Sequence, residues 1–491
     1  MEYVWVILSW TNIPVLLGLW ILYYIVISIY NLSPLHPLYR FPGPKVAAMS
    51  YLYEAYFDWW LVGRYGWEIR QMHEKYGPIV RINPDELHCN DPYFTDEIYA
   101  GGNRVRDKWQ HQLNTGASSP VSVTGFSTVS HELHRIRRAP FAKFFSRQQV
   151  LKLEGEVHDF AQRTIDKMLA TVISQYAFGE PMGFVDQDGW EPNFATWVSY
   201  FFKSAYLIRY NTPVRILAGF SPLIGNFMGE NVRKMLQWMN VIIPKYVKAA
   251  IDNPENSRVF ADVMESDVLP DHEKSMYRLS GEGFNLIAAG TETTAATLTY
   301  ITYYLLAQPE LYACLMEALQ GVDPLNLKWI DLEQRPYLWA VVHEALRLTP
   351  GVSHRSARIA RTEDLFYKSK DGNVQWVIPK GTPIGMTSVI NHSNEEIFPS
   401  PGEFIPERWI VDGQPNYALE KMLISFGKGT RLCLGIHLAY CELFLMTAAL
   451  AFRVLPRARL YETTIEDIKY DHDLIVLQTV RGSVAVRIEV Q

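Results

Sequence analysis

One cysteine set among glycines and cations, directly ahead of a long apolar run, constrains this chain more than any other stretch. Phe426-Gly427-Lys428-Gly429-Thr430-Arg431-Leu432-Cys433-Leu434-Gly435 leads into a helical apolar pattern from Ile436 to Phe452. Gly427, Gly429 and Gly435 let the backbone turn tightly and approach a flat ligand, while Lys428, Arg431 and a helix N-terminus favour thiolate over thiol. A thiolate so placed is a nucleophile or a metal ligand; a buried structural cysteine is the plainer alternative.

The remainder can support a large core. The 491 residues would allow three domains at about 150 each, yet 48% are hydrophobic, 13% aromatic, and no repeat, low-complexity run or charge block divides them. A net charge of −6 argues against bulk attraction to nucleic acid. Cys89, Cys314, Cys433 and Cys441 include no CxxC pair, so neither a zinc cluster nor a disulfide framework is indicated, as in a reducing compartment.

From Tyr3 to Tyr39 there is no Asp, Glu, Lys or Arg, and Ile13 to Tyr30 is almost wholly apolar. Such a run is long enough to span a bilayer as one helix, with Trp and Tyr near its ends. A cleaved signal peptide would want a basic start and a small-residue cleavage site, and the chain begins Met-Glu. Arg40 and Lys45 follow the span, placing what comes after it on the cytosolic side. Ser33-Pro34-Leu35-His36-Pro37 and Phe41-Pro42-Gly43-Pro44 predict a stiff extended connector. Sequons at Asn31 and Asn391 would go unused there.

Tyr76 to Asn90 reads as a short two-stranded region bounded by Gly77-Pro78 and Asn83-Pro84. Ser130 to Arg147 reads as a basic helix with His134 and Arg138 four apart on one face. Phe194 to Ile243 is rich in aromatic and aliphatic residues. A helix from Gly281 to Leu306 contains Ala289-Gly290-Thr291-Glu292-Thr293-Thr294, where a mid-helix glycine and a threonine bonding back to a carbonyl would loosen the ladder. Glu344 and Arg347 share a helix face, a pairing worth only about 0.2–0.5 kcal/mol if exposed. Phe404-Ile405-Pro406-Glu407-Arg408-Trp409 lies downstream, and Leu474 to Val490 alternates as a hairpin would.

The spacing Phe-x-x-Gly-x-Arg-x-Cys-x-Gly resembles the haem-ligand loop of the cytochrome P-450 family, and the other motifs follow in that family's order. The resemblance implies a mainly α fold with small β-sheets, preceded by one transmembrane helix: an anchor over 1–32, a proline-rich hinge over 33–45 and a haem-thiolate catalytic domain over 46–491. It implies Cys433 as axial ligand of a haem b iron, Phe426 packed beneath it, and Gly429 and Gly435 shaping the loop. His134, Arg138, Arg355 and Arg431 would bind propionates. Thr293 would deliver protons during oxygen activation, Glu292 would lead them in from solvent, and Thr294 would be structural. Glu344, Arg347 and Arg408 match a buried structural triad. The Phe194–Ile243 region would form a lid, with Val352 and Ser353 lining the pocket, and Arg135, Arg137, Lys143 and Arg147 would help form a docking face for an acidic electron donor.

The expected activity is monooxygenation of an apolar small molecule with O₂ and NADPH-derived electrons, delivered by NADPH-cytochrome P-450 reductase, with cytochrome b5 a further candidate donor. The expected site of action is the endoplasmic reticulum membrane, with a single pass and a cytosolic catalytic domain. Leu133–Ser146, Gly351–Arg358 and Val377–Trp409 are most similar to filamentous-fungal members that tailor terpenoids, polyketides or alkaloids. Two alternatives stand beside this: an O₂-independent haem-thiolate isomerase or dehydratase, and a non-catalytic haem-binding membrane protein.

Overall fold

The computed structural model describes residues 13–116, 118–167, 194–220, 229–254, 259–480 and 485–490. The uncharged N-terminal run winds into α1 (Ile13–Leu32), whose side chains are almost all exposed. Pro14–Leu32 has a mean hydropathy of 2.0, apolar and long enough to cross a bilayer. Residues 1–12 of the expected anchor lie outside the described ones.

The connector is not extended. Its N–H groups fold it into successive turns, Ser33 to Tyr30 O at 2.9 Å, His36 to Ser33 O at 3.1 Å and Tyr39 to His36 O at 3.0 Å. Proline's fixed φ suits a turn as well as an extended chain, and the turns bury His36, Leu38 and Phe41. Arg81 Nη1 donates to Asn31 O at 3.0 Å, and Asn31 Nδ2 donates to Met49 O at 3.0 Å. The base of α1 is therefore bolted to the body of the protein.

Five short strands form one sheet. In chain order they are β1 (Ile79–Arg81), β2 (Leu87–Cys89), β3 (Asp107–Lys108), β4 (Arg358–Ile359) and β5 (Pro383–Gly385), arranged β1-β2-β5-β4-β3. β1 and β2 are antiparallel as expected, and β2 runs parallel to β5 with Leu87 opposite Ile384. The expected basic helix is shorter: α2 (His131–Ala142) carries Pro140, which lacks a ladder N–H, and α3 (Arg147–Lys167) starts afresh. The region expected to form a lid holds the helices α4 (Phe194–Tyr210), Thr212–Ala218 and Glu230–Gln237; residues 221–228 of that region lie outside the described ones.

The main core packs α3, α5 (Met276–Ala307), α6 (Pro336–Leu348) and α7 (Ile436–Arg453) together. Ser275 caps α5 by accepting the Arg278 N–H. α7 buries Leu443, Phe444, Leu445 and Met446, each contributing roughly 1.5–3 kcal/mol. The expected C-terminal hairpin is only half realised. β6 (His472–Leu474) pairs with β7 (Val476–Gln478), whereas Ile488–Val490 pairs with Ala458–Leu460; residues 481–484 lie outside the described ones.

Glu344 and Arg347 are not an exposed helical pair. Arg347 Nε and Nη2 each donate to the Glu344 carboxylate at 2.8 Å, Arg408 Nε adds a bond at 3.2 Å, and Trp409 Nε1 another at 2.8 Å. Glu344 is 0% and Arg347 2% exposed. Arg347 also donates to Pro401 O at 2.7 Å and Glu403 O at 2.9 Å. Removing one partner leaves a buried charge uncompensated, so Arg347→Ala should cost about 3–5 kcal/mol. Equilibrium denaturation measures this, and a loss under about 1 kcal/mol, the size of a surface pair, would contradict it.

Candidate functional site

Gly427 and Gly429 adopt left-handed φ values of 69° and 67°, and a Cβ on Gly429 would sit 2.0 Å from Tyr99 O. These two positions admit only glycine without strain. The loop they close folds back so that the Cys433 N–H donates to Phe426 O at 2.8 Å. Its thiol is exposed just ahead of α7. The surrounding protein still raises the thiol pKa by burial, opposed by the Gly435 backbone N–H and the Arg138 guanidinium. Gly435 has an ordinary φ of −90°, and an added Cβ there would meet nothing within 4 Å. Its small size leaves room beside the thiol rather than relieving the backbone.

Beside this loop, cations gather without matching acids among the described residues. β3 brings Lys108, β4 brings Arg358, α2 brings His134 and Arg138, and the loop brings Arg431. Burial lowers the pKa of Lys108, and Arg358 and Arg431 lower it further. Arg431 is brought down to about 9 by burial, then by Arg358. His134 is held neutral by burial and by four surrounding cations. Asp107 and Glu132, acids that act on Arg431, are themselves taken by Arg361 at 2.8 and 2.6 Å. Arg431 donates to Thr128 O at 2.7 Å and Val129 O at 2.8 Å, while its buried Nε has no partner. A buried group of this sign fits a ligand bearing carboxylates, and the open side at Gly435 fits a flat one.

Arg355 does not join that group. It pairs with Glu54, lies 3.0 Å from Glu86 Oε2 and 3.7 Å from Asp58 Oδ2, and is buried among these carboxylates. Arg358, three residues on, lies among the cations beside the loop instead, where it acts on His134 and Arg431. Residues three apart in an extended stretch face opposite sides, so the motif could not say which arginine turns toward the site. Lys108 had no sequence signal beyond its charge. Of the two proposed lining residues, Val352 is 41% exposed, whereas buried Ser353 donates to Asp473 Oδ1 at 3.0 Å.

On α5, Thr293 Oγ1 donates back to Ala289 O at 2.8 Å, and Ala289 is exposed at mid-helix. The helix runs unbroken through Gly290, so the expected loosening is a side-chain competition for the carbonyl and not a gap. Burial raises the Glu292 pKa. Thr294 turns away to bond Glu442 of α7, a carboxyl that burial pushes up to about 8. Gly351 closes on the other side: a Cβ there would stand 2.7 Å from Thr293 Cγ2.

The triad reaches the thiol loop through His392. Its Nδ1 lies 2.9 Å from Arg347 O, and its Nε2 accepts the Ile424 N–H at 3.0 Å. The basic face expected along α2 is largely spoken for, since Arg137 pairs with Glu273, Lys143 with Asp262 and Arg147 with Glu333. Arg135 is exposed.

Residues 147–479 match the family model described as Cytochrome P450. The chain is similar to the Cytochrome P450 monooxygenase ppzE of Metarhizium majus, 39% identical over 82% of this chain and 92% of that one. It is 34% identical to the Cytochrome P450 monooxygenase tpcC of Cochliobolus heterostrophus over 96% and 95%. It is 36% identical to the Tryptophan 6-hydroxylase fscE of Fusarium equiseti over 93% and 92%. A solved cytochrome P450 shares the fold with a TM-score of 0.64 at 15% identity, covering 86% of this chain and 94% of that structure.

The Gly351–Thr293 contact makes a stability prediction. Gly351→Ala should cost about 1–3 kcal/mol by overpacking, and part of that should return when Thr293→Ala removes Cγ2. Strictly additive costs in the double-mutant cycle would show that the two residues do not press on each other.

Proposed function

The chain belongs to the cytochrome P450 family, and on that premise we propose that Cys433 is the axial ligand of its haem iron and that Lys108, His134, Arg138, Arg358 and Arg431 receive the propionates. The protein is a haem-thiolate monooxygenase that uses haem b and electrons passed on by a reductase. What carries the site assignment is the set of buried and half-buried basic side chains that pair with no acid among the described residues, beside an accessible thiol. Bound haem supplies O₂ activation and transfer of one oxygen atom, and thiolate ligation favours O–O cleavage.

The residues divide the remaining work. Thr293 holds its hydroxyl on α5 beside the exposed Ala289 and can exchange its bond to Ala289 O for one to an incoming group. Glu292, kept closer to its protonated form by burial, is the proposed source that refills it. Intact Thr293 and Glu292 favour O₂ chemistry over the isomerase and carrier alternatives. Phe426 and Gly435 shape the loop face, and Glu344, Arg347 and Arg408 hold the segment leading into it.

The proposed substrate is an apolar small molecule of fungal secondary metabolism, a terpenoid, polyketide or alkaloid. Support comes from relatives named as Tryptophan 6-hydroxylase and N-acetyltryptophan 6-hydroxylase, and from the exposed apolar side chains of Ala289 and Val352. α1 is the proposed endoplasmic reticulum anchor, with residues 1–32, 33–45 and 46–491 as anchor, hinge and cytosolic catalytic domain. The proposed donors are NADPH-cytochrome P-450 reductase and cytochrome b5.

The carbon monoxide difference spectrum of the reduced protein should show the thiolate-type Soret band, and its absence from folded, haem-loaded protein would refute Cys433 ligation. Thr293→Ala should leave that band in place while NADPH consumed per product rises; unchanged coupling would remove Thr293 from the proton path. Arg358→Leu should weaken haem binding by about ten- to hundredfold, as expected for losing a charge-assisted bond of about 1.5–3 kcal/mol. Haem titration of the apoprotein measures this. Equal haem affinity in Arg358→Leu and wild type would return the propionate role to other residues.

A further inference from the structure

Tyr440 lies on α7, beyond Cys433, with its ring centroid 5.2 Å from that of Phe426, the residue whose carbonyl receives the Cys433 N–H. Its hydroxyl is 3.3 Å from His343 Nε2. His343 Nδ1 stands 2.8 Å from Trp339 O, which can only accept. Nδ1 therefore carries the proton, and Nε2 is left to accept from the phenol. Glu420 Oε1 lies 3.6 Å from that same nitrogen, placed to offset positive charge on the ring.

The ring contacts continue outward. His343 stacks with Tyr440 at 5.5 Å and with Trp339 at 3.6 Å, and Trp339 is 5.7 Å from Tyr417. Tyr417 is 61% exposed. Phenols and indoles are among the side chains that most readily lose one electron, and a phenol already bonded to a base loses its proton in the same event. Trp409 packs beside the same rings, 5.6 Å from His343 and 6.2 Å from Trp339, with its Nε1–H held by Glu344, and it is a side branch of this line.

We propose that Tyr440, with His343 as proton acceptor, opens a protective relay through Trp339 to Tyr417 that drains an oxidising equivalent left at the haem when O₂ is activated and no substrate reacts. The proposal rests on the haem-thiolate reading above. One electron passes from Tyr440 past Phe426 to the oxidised haem centre, and the phenolic proton moves to His343 Nε2, leaving a neutral tyrosyl radical and an imidazolium beside Glu420. Trp339 then returns an electron to Tyr440 while His343 returns the proton. Tyr417 refills Trp339 and releases its own proton to water, and a soluble thiol gives a hydrogen atom to the Tyr417 radical. Overall, one thiol becomes a thiyl radical, one proton goes to water and one electron reaches the haem.

Ferric, substrate-free holoenzyme is mixed with a peracid and frozen within milliseconds for electron paramagnetic resonance, after the carbon monoxide spectrum has established thiolate ligation. A protein radical with the tyrosyl signature is expected. Tyr440→Phe keeps the ring and loses the hydroxyl; it should reduce the signal severalfold and bleach the haem severalfold faster under peracid. Tyr417→Phe, at an exposed position, should shift the signal to a tryptophan-type radical without weakening haem ligation. An identical radical yield and bleaching rate in Tyr440→Phe would overturn the relay while leaving the thiolate spectrum, and with it the functional reading, intact.

Discussion

One buried carboxylate organises the proximal side of this protein. Glu344 accepts from Arg347, Arg408, Trp409 and the Ile405 N–H, so α6 and the segment around Pro399–Trp409 cannot shift separately. An ion pair at 0% exposure gains little over an apolar core when intact, because desolvation offsets the Coulomb attraction. Its value lies in geometry: each arginine spends its spare N–H groups on backbone carbonyls of a segment that has almost no regular structure. Through His392, which bridges Arg347 O and the Ile424 N–H, and through Ser425 Oγ, which donates to Leu346 O at 2.7 Å, the constraint reaches the residues just before Phe426. The thiol is aimed by a lock that never touches it.

The proposed haem edge poses the opposite problem. Lys108, Arg138, Arg358 and Arg431 lower one another's or His134's proton affinity, so the folded chain bears a repulsion that a bound dianion would relieve. Binding that relieves strain in the native state is stability by linkage. Haem in this reading is a structural counter-ion as well as a reagent, and the folded state without it should be the weaker one.

The loop was legible because its chemistry is local. Gly427 and Gly429 need left-handed φ, Gly429 has no room for a side chain against Tyr99 O, and the cysteine follows at fixed distance; all of this is written in ten consecutive residues. The triad and its burial were legible through the family resemblance, whereas Glu344 and Arg347 by themselves look like any helical pair until Trp409 and Pro401 close over them. The connector misled because proline fixes φ but not whether the chain then turns, and the outcome turned on burying Leu38 and Phe41. The ion pairs along the basic face were hidden for a related reason: Glu273, Asp262 and Glu333, which pair with Arg137, Lys143 and Arg147, lie far away in sequence.

Arg355 shows what sequence spacing cannot carry. Its neighbours in space come from residues 54–58, from Glu86 beside β2 and from α4, none adjacent to it in the chain. There Glu54, Asp58 and Glu86 face Arg355 and Arg209, an excess of acids where the haem edge has an excess of bases. Arg355 and its neighbours hold Glu54 well below the usual carboxylate range, while burial outweighs the arginines and raises Asp58 to about 6 and Glu86 to about 7. Proton uptake at Asp58 and Glu86 is therefore a means of easing the imbalance at this end. At the haem edge the charges are mostly guanidinium, which protons cannot neutralise, so only an anionic ligand can. An arginine drawn toward the acids is one the haem edge does not have to accommodate. That segregation explains why Arg358 faces the proposed haem edge and Arg355, three residues before it, turns away.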